Sequence, residues 1–177
     1  MQLTKTNFIQ YLNCPKSLWL LKNKPEEYPS GEFSLFLEKL IKEGYEVEDY
    51  AQQLFSEGIK LSDFASAEST ENQINKGGKI FFQPAFETSK GVFSRIDVLE
   101  KKKDGTWHIY EVKSSTKIKT DKKHNHLKDA CFQKYTMLEN GYNVSQVSII
   151  HLNKDYVRNG DINPKELLII EDVTEKI

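Results

Sequence analysis

Between residues 33 and 55, apolar side chains recur at three- and four-residue spacing. Phe33, Phe36, Leu37, Leu40, Ile41, Gly44, Val47, Ala51, Leu54 and Phe55 trace one face of a helix, which Gly58 is placed to stop. Upstream, Phe8, Tyr11, Leu12, Leu18, Trp19 and Leu21 predict a helical segment over residues 4–22. Asn13-Cys14-Pro15 splits it, with Pro15 in the first turn of the second half. Residues 62–79 are polar and end in Lys76-Gly77-Gly78-Lys79, which reads as a loop. The pattern then changes to strands over residues 80–87, 92–100 and 107–113. Pro84 marks an edge or bulge in the first, and Gly91 and Asp104-Gly105 supply hairpin turns. Leu127, Ala130, Cys131, Tyr135 and Leu138 predict a second amphipathic helix, ended by Asn140-Gly141. Residues 144–152 form a fourth strand, its run from Val147 to Leu152 apolar enough for burial on both faces, and residues 167–170 a short fifth.

The order helix, three strands, helix, strand predicts one α/β (α+β) domain over residues 1–177, a mixed central sheet flanked by helices. Within it, residues 1–30 form an N-terminal helical segment, 31–155 the core and 156–177 a C-terminal extension. Composition agrees: 38% of residues are hydrophobic, and ten Phe and eight Tyr are too many for a disordered chain. Two cysteines, Cys14 and Cys131, exclude a disulfide framework and a four-thiolate metal site built from this chain. No apolar run reaches the roughly 18 residues of a membrane span, and Lys5, Asn7 and Gln10 interrupt a signal-peptide reading, so a cytoplasmic location is expected.

The net charge of −1 conceals an uneven distribution. Residues 26–57 hold nine acidic side chains against Lys39 and Lys42, whereas residues 101–128 hold nine lysines against Asp104, Glu111 and Asp121. Screening over about 8 Å lets the basic segment attract a polyanion despite the acidic half.

Candidate chemistry lies at the edge of that basic segment. On the third strand Glu111 and Lys113 share a face, and across a hairpin Asp97 lies beside them. Two carboxylates and an ammonium suit a hard divalent cation, a bound water and a phosphate. Asp97 alternates with Ile96 and Val98 and shares its face with Arg95 and Leu99, a pattern compatible with exposure. Glu48 falls inside the apolar stripe of the long helix, where a carboxylate needs a cationic or metal partner. On the second helix Gln133 reads as surface, and Tyr135 and Cys131 as core; the helix N-terminus behind a lysine-rich loop suits phosphate. His124 and His126 lack a third ligand nearby and read as phosphate contacts or inert. No Gly-rich phosphate loop, Ser/His/Asp arrangement or dinucleotide fingerprint occurs.

Asp97, thirteen intervening residues and then Glu111-Val112-Lys113, in this order of elements, resembles the PD-(D/E)XK nuclease superfamily. The similarity is closest to its RecB-like branch, which includes CRISPR-associated exonucleases. Leu3 to Lys16 resembles that branch's N-terminal helix with a Cys-Pro step, and Gly44 to Glu48 the helix that supplies a His or Glu to the metal. Gly91 to Asp97 is similar to the stretch before the catalytic Asp, and Asp129 to Tyr135 to the helix bearing Gln and Tyr. The resemblance implies a restriction-endonuclease-like core. It implies Mg²⁺ or Mn²⁺ on Asp97, Glu111 and the Val112 carbonyl, with Glu48 in or next to the ligand set. Lys113 would position the attacking water. Gln133 and Tyr135 would contact the phosphate backbone or hold Lys113, with Lys117, Lys119, Lys122 and Lys123 as further nucleic-acid contacts. The cysteine trio of the iron–sulfur members has no counterpart, so no cluster is expected.

The sequence thus leads to a metal-dependent deoxyribonuclease, an exonuclease-type module of repair, recombination or defence acting on single-stranded or end-containing DNA. A helicase or second nuclease subunit is a possible partner, and no membrane is. The competing reading is a nucleic-acid-binding or scaffold module that keeps the fold without cleavage.

Overall fold

The computed structural model describes residues 2–29, 34–62, 64–121 and 124–177. Elements follow in the order β1 (Leu3–Thr4), α1 (Lys5–Asn13), α2 (Pro15–Asn23), α3 (Leu35–Gln52), β2 (Ile59–Lys60), α4 (Ala67–Asn75), β3 (Ile80–Phe82), β4 (Ala85–Glu87), β5 (Val92–Arg95), β6 (Val98–Lys101), β7 (Trp107–Lys113), α5 (His126–Glu139), β8 (Val144–Leu152), α6 (Pro164–Leu167) and β9 (Leu168–Asp172). A mixed six-stranded sheet runs β2-β3-β6-β7-β8-β9, and a second sheet of three runs β1-β5-β4. Strands β7 and β8 are parallel, joined through α5; their neighbours β6 and β9 run antiparallel to them. Among the described residues no helix is long and apolar enough to cross a membrane.

Both faces of the large sheet are covered. Leu99, Ile109 and Ile149 pack with Ala130 and Met137 of α5, while Val98, Tyr110 and Ile150 pack with Val47 and Ala51 of α3. The alternation along β7 therefore sends Ile109 to α5 and Tyr110 to α3, and it carries Glu111 and Lys113 toward α5. Continuous apolar character in β8 reflects this two-sided burial, as expected.

Several elements differ from the sequence pattern. The expected single strands over residues 80–87 and 92–100 are each bent into two, so one long hairpin serves both sheets. Leu3–Thr4, expected in the first helix, is a strand paired parallel with β5. Helix α3 ends at Gln52, before Gly58, and only Val47 and Ala51 of it are buried. Leu37, Leu40 and Ile41, expected in the core, are exposed, and Phe33 lies outside the described residues. The polar stretch expected as loop contains α4, capped by Ser66 accepting from the Ser69 N–H. Its inward face is mostly polar: buried Thr70 accepts from the Ala85 N–H at 2.9 Å, which is why hydrophobic spacing does not reveal it.

Candidate active site

The site begins where the long hairpin bends. Gln83 takes φ of 56°, in the left-handed region that a residue with a Cβ rarely adopts, and Pro84 follows without an N–H. Opposite, Ile96 and Asp97 interrupt the strand. The Gln83 N–H donates to the Asp97 carbonyl at 3.2 Å and the Ile96 N–H to the Pro84 carbonyl at 3.0 Å, so the two bends are locked together. Arg95 clamps the same turn through the carbonyls of Gln83, Ser62 and Ala65. The last residue pair between β6 and β7 is Val98 with Tyr110. Beyond it the Val112 N–H has no ladder partner on that edge, and it donates instead to Asp97 Oδ2 at 2.7 Å. In a strand a residue's N–H and C=O lie on the same edge, so the Val112 carbonyl shares that side.

Asp97 therefore sits at a break in the pleat, and the alternation expected around it fails. Ile96 and Leu99 are both fully buried in the α5 core, while Val98 packs toward α3. Asp97 consequently does not share a face with Leu99: it is half-buried and lines a cavity with Glu48 of α3.

Glu111 is 1% exposed and meets two ammonium groups on one oxygen: Lys5 Nζ at 2.6 Å and Lys113 Nζ at 2.7 Å, both from Oε1. Its other oxygen accepts from the buried Gln133 amide, which also donates to the Arg95 carbonyl at 3.1 Å. Lys113 continues to Asp129 Oδ2 at 2.5 Å. Burial opposes the Glu111 charge, but Lys113 and then Lys5 outweigh it and hold the carboxyl well below its usual range. Burial likewise lowers Lys113, yet Glu111 and Asp129 leave it well above its ordinary value, so it is a fixed cation. Lys5 follows the same balance: Glu111 and then Asp97 overcome its burial and raise it.

Asp97 has no such relief. Burial first, then the charge of Glu111, push it up to about 7, and Lys5 only partly compensates. Glu48 leans in from α3 and is raised chiefly by burial. Its side-chain hydrogen-bond partners are amides: Gln83 bridges it to Asp97, and Gln52 donates at 3.2 Å, so of the cationic or metal partner expected for it no ammonium or guanidinium among the described residues fills the role.

Lys5, Glu48, Asp97, Glu111, Val112 and Lys113 thus line one cavity of about 240 Å³ at the carboxyl end of β7. Five of them are the residues the sequence singles out for metal and catalysis. Gln133 joins them from below, fully buried rather than at the surface, and it holds Glu111 rather than Lys113. Tyr135 does not join them. Two residues along a helix lie on nearly opposite faces, so a buried Gln133 turns Tyr135 outward, 42% exposed; Cys131, expected in the core, is also exposed. Lys117 and Lys119 lie in the loop between β7 and α5, outside this cavity, and Lys122 and Lys123 lie outside the described residues. His126 is buried and braces the loop: its Nδ1 accepts from the Lys119 N–H at 3.2 Å.

Lys5, Gln83 and Asp129 are missing from the sequence reading of the site. Lys5 is delivered by the two-residue strand β1: the Leu3 N–H bonds the Gly91 carbonyl at 2.8 Å, and a capping box of Thr4 and Asn7 starts α1 there. Phe8 stacks on Phe132, ring centres 5.2 Å apart, and fixes α1 against α5. The one sequence signal for Gln83 is Pro84 behind it. Asp129 is visible only as an acidic residue in the first turn of α5.

Chemically, the arrangement offers an oxygen-donor set and a fixed ammonium. Among the described residues no group of three or more His, Cys, Asp and Glu side chains is gathered for a metal ion. Asp97, half-buried and only partly compensated by Lys5, is flanked by the Val112 edge and Glu48, oxygen donors of the kind that suits a hard cation. The sequence matches no protein-family model and no curated protein.

Proposed function

We propose that the chain is a metal-dependent nuclease that hydrolyses DNA phosphodiester bonds, an exonuclease-type module working alone or beside a helicase or second nuclease subunit. One observation carries this reading. Asp97, Glu111, Lys113 and Glu48 converge on one cavity although they come from a strand break, a strand and a distant helix. The resemblance to PD-(D/E)XK nucleases, with a restriction-endonuclease-like core, supports the same reading.

Asp97, the Val112 carbonyl and Glu48 would hold Mg²⁺ or Mn²⁺, with Glu111 joining as its ammonium partners yield. When bound, the ion supplies a more acidic water and neutralises phosphate charge. Lys113 stays protonated, so it orients the attacking oxygen and offsets charge on the phosphoryl oxygens rather than taking a proton. Gln133 keeps Glu111 in its rotamer, and the bend at Gln83 sets the spacing of Glu48 and Asp97.

A second reading, a binding module without cleavage, draws on the occupied Oε1 of Glu111: two ammonium groups satisfy that carboxylate with no metal at all. End-labelled single- and double-stranded DNA, incubated with Mg²⁺, Mn²⁺ or EDTA, separates the two. The nuclease shortens the label only with metal, and the product ladder reports whether ends are needed. Binding in EDTA with no cleavage in either metal supports the second reading instead.

A further inference from the structure

Lys5 lines two spaces at once: the cavity of Asp97 and Glu111, and a neighbouring open groove of about 500 Å³ along α1. The groove reaches Gln10, Asn13 and Ser17, with Tyr28 on its wall and Asp129 at the mouth beside Lys5. Its volume lies within the range of about 300–1,000 Å³ usual for small-molecule sites. The polar side chains are arranged within it: Gln10 Nε2 donates to Ser17 Oγ at 2.9 Å and to the Tyr28 hydroxyl at 3.2 Å. Of its lining residues only Lys5 and Asp129 carry charge; Lys113 counters Asp129, and Lys5, though paired with Glu111, keeps 29% of its side chain exposed.

We propose that this groove is a nucleotide subsite for single-stranded substrate, next to the scissile position, with Lys5 as the phosphate contact at its mouth. The proposal rests on the nuclease reading for the word scissile, though not for binding. Lys5 lines both spaces while its ammonium holds Glu111 Oε1, so a strand running from the cavity along α1 passes that ammonium. The polar wall of Gln10, Asn13 and Ser17 then receives sugar and base edges, and the Tyr28 ring offers a stacking surface.

The test is fluorescence anisotropy of a labelled strand of about twelve thymidines, in EDTA, between about 50 and 200 mM salt. Wild type, Lys5→Ala, Lys5→Arg and Ser17→Phe are compared, with cleavage in Mn²⁺ measured in parallel. Loss of one phosphate contact lowers the salt slope by about 0.7 and weakens binding about fivefold in Lys5→Ala, while Lys5→Arg keeps the slope. Ser17→Phe fills the groove and weakens binding with the slope unchanged. An unaltered slope in Lys5→Ala, unaltered affinity in Ser17→Phe, or no binding by wild type overturns the subsite. Wild-type cleavage with unaltered groove variants removes the subsite and keeps the nuclease. Binding that responds as described without cleavage keeps the subsite and removes the nuclease.

Discussion

Replacing Asp97 with asparagine keeps an acceptor for the Val112 N–H and removes a charge that burial and Glu111 both oppose. Asp97→Asn is therefore expected to raise the melting temperature at pH 8 by about 5 °C in EDTA, and to abolish any further rise on adding Mn²⁺. Glu111→Gln has the opposite sign. It leaves the half-buried Lys5 and Lys113 around a neutral amide; breaking a fully buried pair costs roughly 3–5 kcal/mol, which is the upper bound for this loss. Urea unfolding of the two variants beside wild type reads both effects. Equal destabilisation of the two would contradict the charge balance described for this cavity.

At the scale of elements, the sequence pattern reports β7, β8, α5 and the split of α1 from α2 almost residue for residue, because each has an apolar face or a proline that periodicity registers. It also places Asp97, Glu111, Val112 and Lys113 together, since a hairpin register follows from alternation and turn. It misses what depends on tertiary contact. β1 is two residues long and exists because Leu3 and Thr4 dock on β5; without it Lys5 has no address. Pro84 signals the irregularity in the hairpin, as an edge or bulge, but the left-handed Gln83 and the break that frees the Val112 edge are hidden, because an extended glutamine and a left-handed one look alike in sequence. Tyr135 and Cys131 read as core because their spacing is apolar, but buried Gln133 sets the rotation of α5. Helix α4 is held by caps and polar contacts, so its stability is expected to depend on them. Ser66→Ala removes the oxygen that accepts from Ser69 and costs about 1 kcal/mol, measurable as a shift in the urea midpoint.

For the whole molecule, titration of the fold between pH 4 and 6.5 is dominated by buried His108 and His126 and half-buried Asp97. Burial first, then Lys102, lowers His108 to about 4; burial first, then Lys113, lowers His126 to about 4. Between pH 4 and 6.5 the unfolded chain protonates both, and the folded chain does not, so each makes stability rise with pH. Asp97 works the other way, since the folded carboxyl keeps its proton up to about 7 while the unfolded one loses it near 3.8. Two protons gained by the unfolded state against one by the folded leave a rise of the order of 1 kcal/mol per pH unit across that window, and at its lower end Glu48, raised, and Glu111, lowered, act in opposite directions. Thermal melts from pH 4.5 to 6.5 are expected to follow that slope, and Asp97→Asn to steepen it. The uneven charge distribution matters at the same scale, because the lysine-rich loop between β7 and α5 follows a cavity in which Glu111, Lys5 and Lys113 are paired and Asp97 is only partly compensated. The most direct measurement is cleavage of single-stranded DNA in Mn²⁺ by wild type and by Lys113→Ala, each first checked for an intact melting transition. Metal-dependent cleavage that falls at least about a hundredfold in the variant is the expected result. A folded Lys113→Ala protein that cuts as fast as wild type, or a wild type inert in every metal, would contradict the assignment of this cavity to phosphodiester hydrolysis.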